Sequence, residues 1–224
     1  MSPVLVNNQC SPLHCKIKVC GIREKGDIEA LSRFPLDYIG FIFFENSARY
    51  AGELPEESLA AIPPATKKVG VFVNATLDEI RKRIEQYHLE VVQLHGEESP
   101  VFCSDLRSGR VEVVKAFSIA GADDLRITSR YESVVDYFLF DTKTPLYGGS
   151  GKQFDWSVLQ CYTGSTPFFL SGGIGPDDVE RLQRFAHPSL YAVDVNSRFE
   201  LLPGKKNTEQ IEVFIHQIKS TNHE

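Results

Sequence analysis

Residues 38–44 have the sequence Tyr-Ile-Gly-Phe-Ile-Phe-Phe, the longest uninterrupted apolar run in the chain. This run lacks the apolar–polar alternation of a strand with one solvated face, and it is typical of a strand that is covered on both faces in a parallel sheet. It is also far shorter than the roughly eighteen apolar residues that a membrane-spanning helix requires. The run therefore predicts a buried strand of an α/β protein.

Similar short runs, rich in β-branched and aromatic residues, alternate with stretches of helical periodicity along the whole chain. They predict eight strands, at residues 16–22, 37–44, 68–73, 90–95, 111–117, 136–142, 167–171 and 190–195. Helices are predicted at residues 27–33, 56–61, 77–87, 100–106, 122–131, 154–160 and 208–219, and a further one starts after Gly175. The clearest, 77–87, begins with a capping box of Thr76 and Glu79.

Eight strands that each precede a helix predict an α/β fold, the single-domain (β/α)8 TIM barrel. An open, doubly wound sheet is the competing arrangement. We find no linker or low-complexity tract, so residues 15–224 are assigned to the barrel domain. Residues 1–14, with little periodicity, are predicted to be a loose N-terminal extension.

The composition limits the function classes. The chain has 224 residues, 42% of them apolar, and a net charge of −6, so it is predicted to be globular and to bind neither nucleic acid nor a membrane. Five cysteines without a Cys-x-x-Cys pair, and an N-terminus without a secretory signal, predict a cytoplasmic protein. Cys10, His14, Cys15 and Cys20 resemble a loose metal cluster, but four-residue gaps along an apparent strand do not converge on one ion, so no metal is predicted.

Two glycine-rich loops follow the sixth and seventh predicted strands, where barrels commonly bind phosphate. Glycines permit positive φ and let backbone N–H groups approach an anion. The spacing fits neither a Walker loop nor a dinucleotide fingerprint. These loops predict a site for a phosphate ester, formed by Gly149, Ser150, Gly151, Lys152, Gly172 and Gly173.

Cys20 and Asp141 are a candidate acid–base pair, since they lie at the ends of the first and sixth predicted strands. A thiolate can remove a proton, and a carboxylic acid kept protonated by burial can donate one. The competing interpretations are an inert buried thiol and a loop-capping carboxylate. Arg49 could clamp a carboxylate or be solvated, and His95 could belong to the site or to the core.

Motifs stand in order at successive strand ends: KVCGI at 18–22, GFIF at 40–43 with SARY at 47–50, VGVF at 69–72, VQLHGEE at 92–98, DT at 141–142, YGGSGK at 147–152 with FDW at 154–156, and SGG at 171–173. This series resembles the phosphoribosylanthranilate isomerase family of tryptophan biosynthesis, from about residue 16 to residue 219. Members of that family are single-domain (β/α)8 enzymes.

The resemblance implies an Amadori rearrangement, without cofactor, of N-(5-phosphoribosyl)anthranilate into 1-(2-carboxyphenylamino)-1-deoxyribulose 5-phosphate. It implies that Asp141 is the general acid at the ring oxygen and Cys20 the general base at C2. The pKa of Asp141 would then be raised, and that of Cys20 lowered or coupled to it. Implied substrate-binding residues are Arg49 for the anthranilate carboxylate, His95, and, for the phosphate, the two glycine loops with Asn196 and Ser197.

Departures from the family pattern leave these groups in place. Arg198 stands where glycine is usual, Asn207 where aspartate is usual, and Glu45-Asn46 where Pro-Lys is common. Two alternatives stay open: a related barrel isomerase of histidine biosynthesis, whose base is an aspartate where this chain has Cys20, and a phosphate-ester-binding barrel without turnover. The expected partner is a small phosphorylated substrate, and the expected state is a monomer or a homodimer.

Overall fold

The structure, a computed structural model, describes residues 15–109, 111–143 and 153–220. Parallel strands β1 to β8 pair in chain order, and β1 also pairs with β8, which closes the barrel. The (β/α)8 prediction is confirmed and the open sheet is excluded. The strands are β1 Lys16–Val19, β2 Tyr38–Ile42, β3 Lys67–Phe72, β4 Val91–Leu94, β5 Glu112–Ile119, β6 Tyr137–Thr142, β7 Phe168–Leu170 and β8 Leu190–Val195.

Six α-helices lie among the described residues: α1 Lys25–Leu31, α2 Glu56–Ala60, α3 Leu77–Tyr87, α4 Pro100–Arg107, α5 Val179–Arg184 and α6 Thr208–Ser220. Short 3-10 segments occupy Ala122–Arg130, Trp156–Cys161, Pro176–Asp178 and Ser197–Phe199. The described part of the chain contains no helix with the length and apolar character needed to cross a bilayer. The predicted extension at residues 1–14 lies outside the described residues. The same is true of four residues predicted to bind phosphate: Gly149, Ser150, Gly151 and Lys152.

The predicted α-helices at 122–131 and 154–160 are wrong in type, since both segments form 3-10 turns. In the first segment, short hydroxyl side chains compete for the backbone: Thr128 Oγ1 donates to Leu125 O at 2.7 Å, and Ser129 Oγ donates to Arg126 O at 3.1 Å. Such bonds from i to i−3 favour the tighter helix.

The barrel strands separate two hydrophobic clusters, because successive side chains on a strand point to opposite faces. One cluster fills the inside of the barrel, and the larger one lies between the barrel and the helices. Tyr38, Leu139 and Phe169 belong to the inner cluster. Residues two positions further along the same strands therefore face the inside of the barrel at its carboxyl end.

A hairpin between β8 and α6 was not predicted. It consists of β9 Glu200–Leu202 and β10 Lys205–Lys206, which pair antiparallel around Gly204, whose φ is +83°. The Asp27 carboxylate of α1 accepts a hydrogen bond from the Lys206 N–H at 2.8 Å. The hairpin is therefore tied to the outer helical layer next to β1.

The capping box predicted for α3 is present, and it provides a test of local stability. The Thr76 hydroxyl accepts from the Glu79 N–H, and the Glu79 carboxylate accepts from the Thr76 N–H. We expect Thr76→Ala to lower the free energy of unfolding by about 1 kcal/mol, since one amide loses its partner. Urea denaturation measures the change. Thr163→Ala, at an exposed position outside helices and strands, is the matched control, and an equal effect of both substitutions would contradict the capping role.

Candidate active site

Cys20 lies directly after β1, where Gly21, with φ +75°, turns the chain out of the barrel. Its N–H donates to Val195 O at 2.9 Å, which continues the β1–β8 ladder, and its side chain is buried. The neighbouring strand leaves room for the thiol, because a Cβ at Gly40 would lie 2.9 Å from Cys20 Sγ. The thiol therefore occupies the inside of the barrel at its carboxyl end.

Asp141 lies near the end of β6, two positions after inward-facing Leu139. Its Oδ1 accepts a hydrogen bond from the Thr142 N–H at 2.8 Å. Burial raises the pKa of Asp141 to about 6, and the nearby Asp194 carboxylate acts in the same direction. At pH 7 roughly a tenth of this carboxyl group is then protonated, far more than for an aspartic acid with an ordinary pKa.

A buried ion pair lies near both of these groups. Lys18 Nζ is 2.8 Å from Asp194 Oδ1, and the two side chains are 1% and 5% exposed. Ser171 Oγ donates to the other carboxylate oxygen of Asp194 at 3.3 Å. The charges of this pair act on both Cys20 and Asp141, so the ends of β1 and β6 share one electrostatic environment.

The thiol of Cys20 has a raised pKa, because burial disfavours the thiolate. Asp194 acts in the same direction, whereas the cations of Lys18 and Lys206 oppose it. The expectation of a lowered pKa is therefore not met in this structure, since removal of water outweighs the two cations. The alternative expectation, a titration coupled to that of Asp141, stays a prediction.

His95 follows β4 and contacts the acid candidate. Its Nε2 is 3.5 Å from Asp141 Oδ2, and its Nδ1 is 3.2 Å from Gln93 Nε2. Burial lowers the pKa of His95 to about 4, with further lowering by the Lys115 and Lys18 cations. The imidazole is therefore neutral at pH 7, and it adds no positive charge beside Asp141.

Arg49 lies in the loop after β2 and is not a free cation. Its guanidinium forms a bidentate ion pair with Glu200 of the hairpin, with Nη2 2.7 Å from Oε2. Arg49 lies close to the end of β1, since a Cβ at Gly21 would be 2.9 Å from Arg49 Cδ. The structure therefore brings Arg49 next to the strand end that carries Cys20.

The loop after β7 has the conformation predicted for it. Gly172 and Gly173 have φ angles of +90° and +67°, which residues other than glycine rarely adopt. A Cβ at Gly172 would also lie 2.7 Å from the Thr142 N atom and 3.2 Å from Asp141 Oδ1. This loop therefore packs directly against the acid candidate.

The loop after β8 contains the other proposed phosphate residues. Asn196 Oδ1 accepts a hydrogen bond from Lys206 Nζ at 2.7 Å, and Ser197 begins a 3-10 turn. Among the described residues other than glycine, positive φ occurs only at Asn74 and His88, so Arg198 occupies a usual glycine position without backbone strain. Its Nε lies 3.2 Å from the place of a Cβ at Gly175.

Sequence reasoning assigned no role to four charged residues at this end of the barrel: Lys18, Asp194, Glu200 and Lys206. Each is at most 5% exposed as a side chain. A lysine and an aspartate inside otherwise apolar strands were the available signal, because charged residues are rarely buried unless they are paired. No group of metal-ligating side chains converges within the described ranges.

Comparisons with known proteins identify one family. Residues 17–217 match the family described as N-(5'phosphoribosyl)anthranilate (PRA) isomerase. The N-(5'-phosphoribosyl)anthranilate isomerase of Parabacteroides distasonis is 47% identical over 204 residues, covering 90% of this chain and 92% of that protein. The crystal structure of phosphoribosyl anthranilate isomerase from Thermotoga maritima is 35% identical with a TM-score of 0.76, covering 92% and 99% of the two chains.

A further solved structure holds a ligand. It is described as phosphoribosyl anthranilate isomerase in complex with reduced 1-(o-carboxyphenylamino)-1-deoxyribulose 5-phosphate. It is 31% identical to this chain with a TM-score of 0.73, covering 92% of this chain and 99% of that one.

The role of the Lys18 cation can be measured through the reactivity of the thiol. We expect Lys18→Met to raise the pKa of Cys20 further, so that alkylation of Cys20 by iodoacetamide at a fixed pH slows on the order of tenfold. Peptide mass spectrometry over a pH series measures the rate, and exposed Cys161 serves as the internal reference.

Lys115→Met is the matched control, since it removes another buried lysine whose partner is Glu98 at 3.0 Å. Thermal unfolding of both variants checks that the fold is retained. An unchanged alkylation rate at Cys20 in folded Lys18→Met would show that the cation does not act on the thiol.

Proposed function

The chain belongs to the N-(5'-phosphoribosyl)anthranilate isomerase family, and we propose that Cys20 and Asp141 carry out the proton transfers of its reaction. Membership in this family makes the protein an isomerase of tryptophan biosynthesis, in preference to the histidine-pathway enzyme and the barrel without turnover. The substrate is then the aminoaldose N-(5-phosphoribosyl)anthranilate. A cytoplasmic location, the lack of a cofactor and the monomeric or dimeric state remain predictions.

Asp141 performs the first step. Its protonated carboxyl group donates to the ring oxygen of the ribose, the bond between that oxygen and C1 breaks, and the nitrogen lone pair forms a protonated Schiff base with C1. The observation that supports this role is the burial that raises the pKa of Asp141 to about 6. An aspartic acid with an ordinary pKa would hold very little of its proton at neutral pH.

Cys20 performs the second step. Its thiolate removes the proton from C2, the C2 electron pair forms a double bond to C1, and the Schiff-base electrons return to nitrogen to give an enolamine. The enolamine then tautomerises to the aminoketose. The support for this role is the position of the thiol inside the barrel at the end of β1, beside the Lys18 cation.

The reactive protonation state is a minor one. With a raised thiol pKa and an Asp141 pKa of about 6, the predominant form at neutral pH has a thiol and a carboxylate. The reactive form, a thiolate with a carboxylic acid, has the same net charge and differs by the transfer of one proton between the groups. The Lys18–Asp194 pair favours it, because the cation stabilises the thiolate and the anion favours the protonated carboxyl group.

The remaining residues bind the two ends of the substrate. Arg49 holds the anthranilate carboxylate, and His95 contacts the ligand as a neutral imidazole beside Asp141. The phosphate binds at Gly172, Gly173, Asn196 and Ser197, together with Gly149, Ser150, Gly151 and Lys152. Both glycines of the loop after β7 already have the positive φ that exposes N–H groups to an anion.

The single observation that carries this proposal is that Cys20 and Asp141 lie at the carboxyl ends of β1 and β6, three strands apart around the closed barrel, near the same buried Lys18–Asp194 pair. A sugar bound over that pair would contact a base on one side and an acid on the other. The two groups would then act on atoms of one substrate.

We expect Cys20→Ala and Asp141→Asn each to lower kcat at least about a hundredfold, because each removes one acid–base group. The assay is the fluorescence change as the aminoaldose is consumed. Cys161→Ala and Asp123→Asn make the same replacements at exposed positions and serve as controls. Full turnover in either active-site variant would refute the role of that residue, and ligand binding without turnover in the wild type would refute the proposed activity.

The pH profile of kcat/KM should be bell-shaped. Below pH about 6 both groups are protonated and the thiolate is lost, whereas above the raised thiol pKa both are deprotonated and the acid is lost. Because a substrate phosphate also titrates near pH ~6, Asp194→Asn identifies the acid limb: loss of the anion lowers the pKa of Asp141, so the limb moves to lower pH. A limb that does not move would belong to the substrate.

A further inference from the structure

Arg49, Glu200 and Lys206 form a charged cluster between the loop after β2 and the hairpin. We propose that Glu200 is a positioning residue, which holds Arg49 so that the outer edge of its guanidinium binds the carboxylate of the anthranilate ring. The inference rests on the function proposed above, in which Arg49 is the carboxylate ligand.

Glu200 contacts the guanidinium along one edge only. Arg49 Nε lies 2.9 and 3.0 Å from the two carboxylate oxygens, and Nη2 lies 2.7 Å from Oε2. A guanidinium has five N–H groups, and this contact uses the Nε–H and one N–H of Nη2. The second N–H of Nη2 and one N–H of Nη1 lie along the next edge, which is the arrangement that holds a carboxylate bidentately. Arg49 can thus bind Glu200 and a ligand carboxylate together.

Other contacts hold the Glu200 carboxylate in place, so that it stays on Arg49 when a ligand binds. Its Oε1 accepts from Lys206 Nζ at 2.7 Å and from the Gly204 N–H at 3.1 Å. Lys206 Nζ also donates to Asn196 Oδ1 at 2.7 Å, and its side chain is fully buried. Withdrawal of the Glu200 carboxylate would leave a buried lysine without its counter-ion, which is strongly unfavourable.

The charge of the cluster suits a further anion. Arg49 and Lys206 contribute two positive charges and Glu200 one negative charge, so the cluster carries a net charge of +1. An anthranilate carboxylate at the free edge of Arg49 would neutralise it. Among the described residues, Glu200 is the acidic side chain that pairs with the Arg49 guanidinium and the Lys206 ammonium, whereas Asp27 accepts from the backbone N–H of Lys206.

The cluster also joins distant parts of the chain. Arg49 follows β2, whereas Glu200 and Lys206 belong to β9 and β10, so the hairpin fixes a side chain that its own loop leaves on a long, flexible stem. An arginine that is already ordered loses less conformational entropy when the ligand binds. The expected effect of Glu200 is therefore on affinity for the carboxylate and not on proton transfer.

The test compares two ligands by calorimetry: reduced 1-(o-carboxyphenylamino)-1-deoxyribulose 5-phosphate and the same compound without the ring carboxylate. We expect the wild type to prefer the carboxylated ligand by at least about tenfold, the range of a charged bidentate contact. In Glu200→Gln this preference should fall to about threefold or less, with unchanged affinity for the ligand without the carboxylate. In turnover, KM should rise while kcat and its pH profile stay close to those of the wild type.

Glu200→Asp provides a second variant, since it keeps a counter-ion for Lys206 but is too short by one methylene to reach both Nε and Nη2 of Arg49. We expect it to fold and to lose at least half of the preference. Glu112→Gln, which removes a carboxylate paired with Lys67 at the opposite end of the barrel, is the matched control and should keep the preference.

Three outcomes would overturn the inference: a full preference for the carboxylated ligand in both Glu200 variants, tighter binding of that ligand in Glu200→Gln, or an equal loss of affinity for both ligands. The second outcome would mean that Glu200 competes with the ligand carboxylate. Arg49→Met with an undiminished preference would place the carboxylate elsewhere and overturn the assignment of Arg49 as well. Because these readouts need no turnover, they are independent of a failure of the proposed activity.

Discussion

The ion pair between Lys18 and Asp194 is the interaction on which the proposed chemistry of the barrel depends. The two residues are in register on β1 and β8, so their contact crosses the seam where the first strand meets the last. Burial of two charges costs free energy, and well-packed apolar residues often stabilise a fold as well as a buried pair does. Such a pair is therefore better explained by what it does to its neighbours than by stability alone.

Those neighbours are the thiol of Cys20 and the carboxyl group of Asp141, which burial affects in the same direction. Both pKa values are raised, so desolvation alone would make Asp141 a suitable acid and Cys20 a poor base. The ion pair acts differently on the two groups. The Lys18 cation opposes the rise in the pKa of Cys20, and the Asp194 anion adds to the rise in the pKa of Asp141. In the proposed mechanism, environment thus divides the roles of acid and base between the two groups.

The amino-acid sequence predicted the barrel well, because buried parallel strands leave a pattern of apolar runs that a wrong register would expose. It also located Cys20, Asp141 and Arg49 at strand ends. The 3-10 turns were missed, since hydroxyl groups such as that of Thr128 change the helix type without changing its periodicity. The partners Lys18, Glu200 and Lys206 were missed because their importance arises from contacts between residues up to 176 positions apart.

The close approach of Gly40 to Cys20 has a consequence for how members of this family can diverge. The space beside β2 is filled by the Cys20 sulfur and by the Lys18 stem, at 2.9 and 3.3 Å from the place of a Cβ at position 40. Any larger residue at position 40 must coincide with a smaller or shifted side chain at position 20. Glycine at position 40 is therefore the neighbour that the Cys20 side chain requires, whereas position 20 can become smaller without a change at position 40.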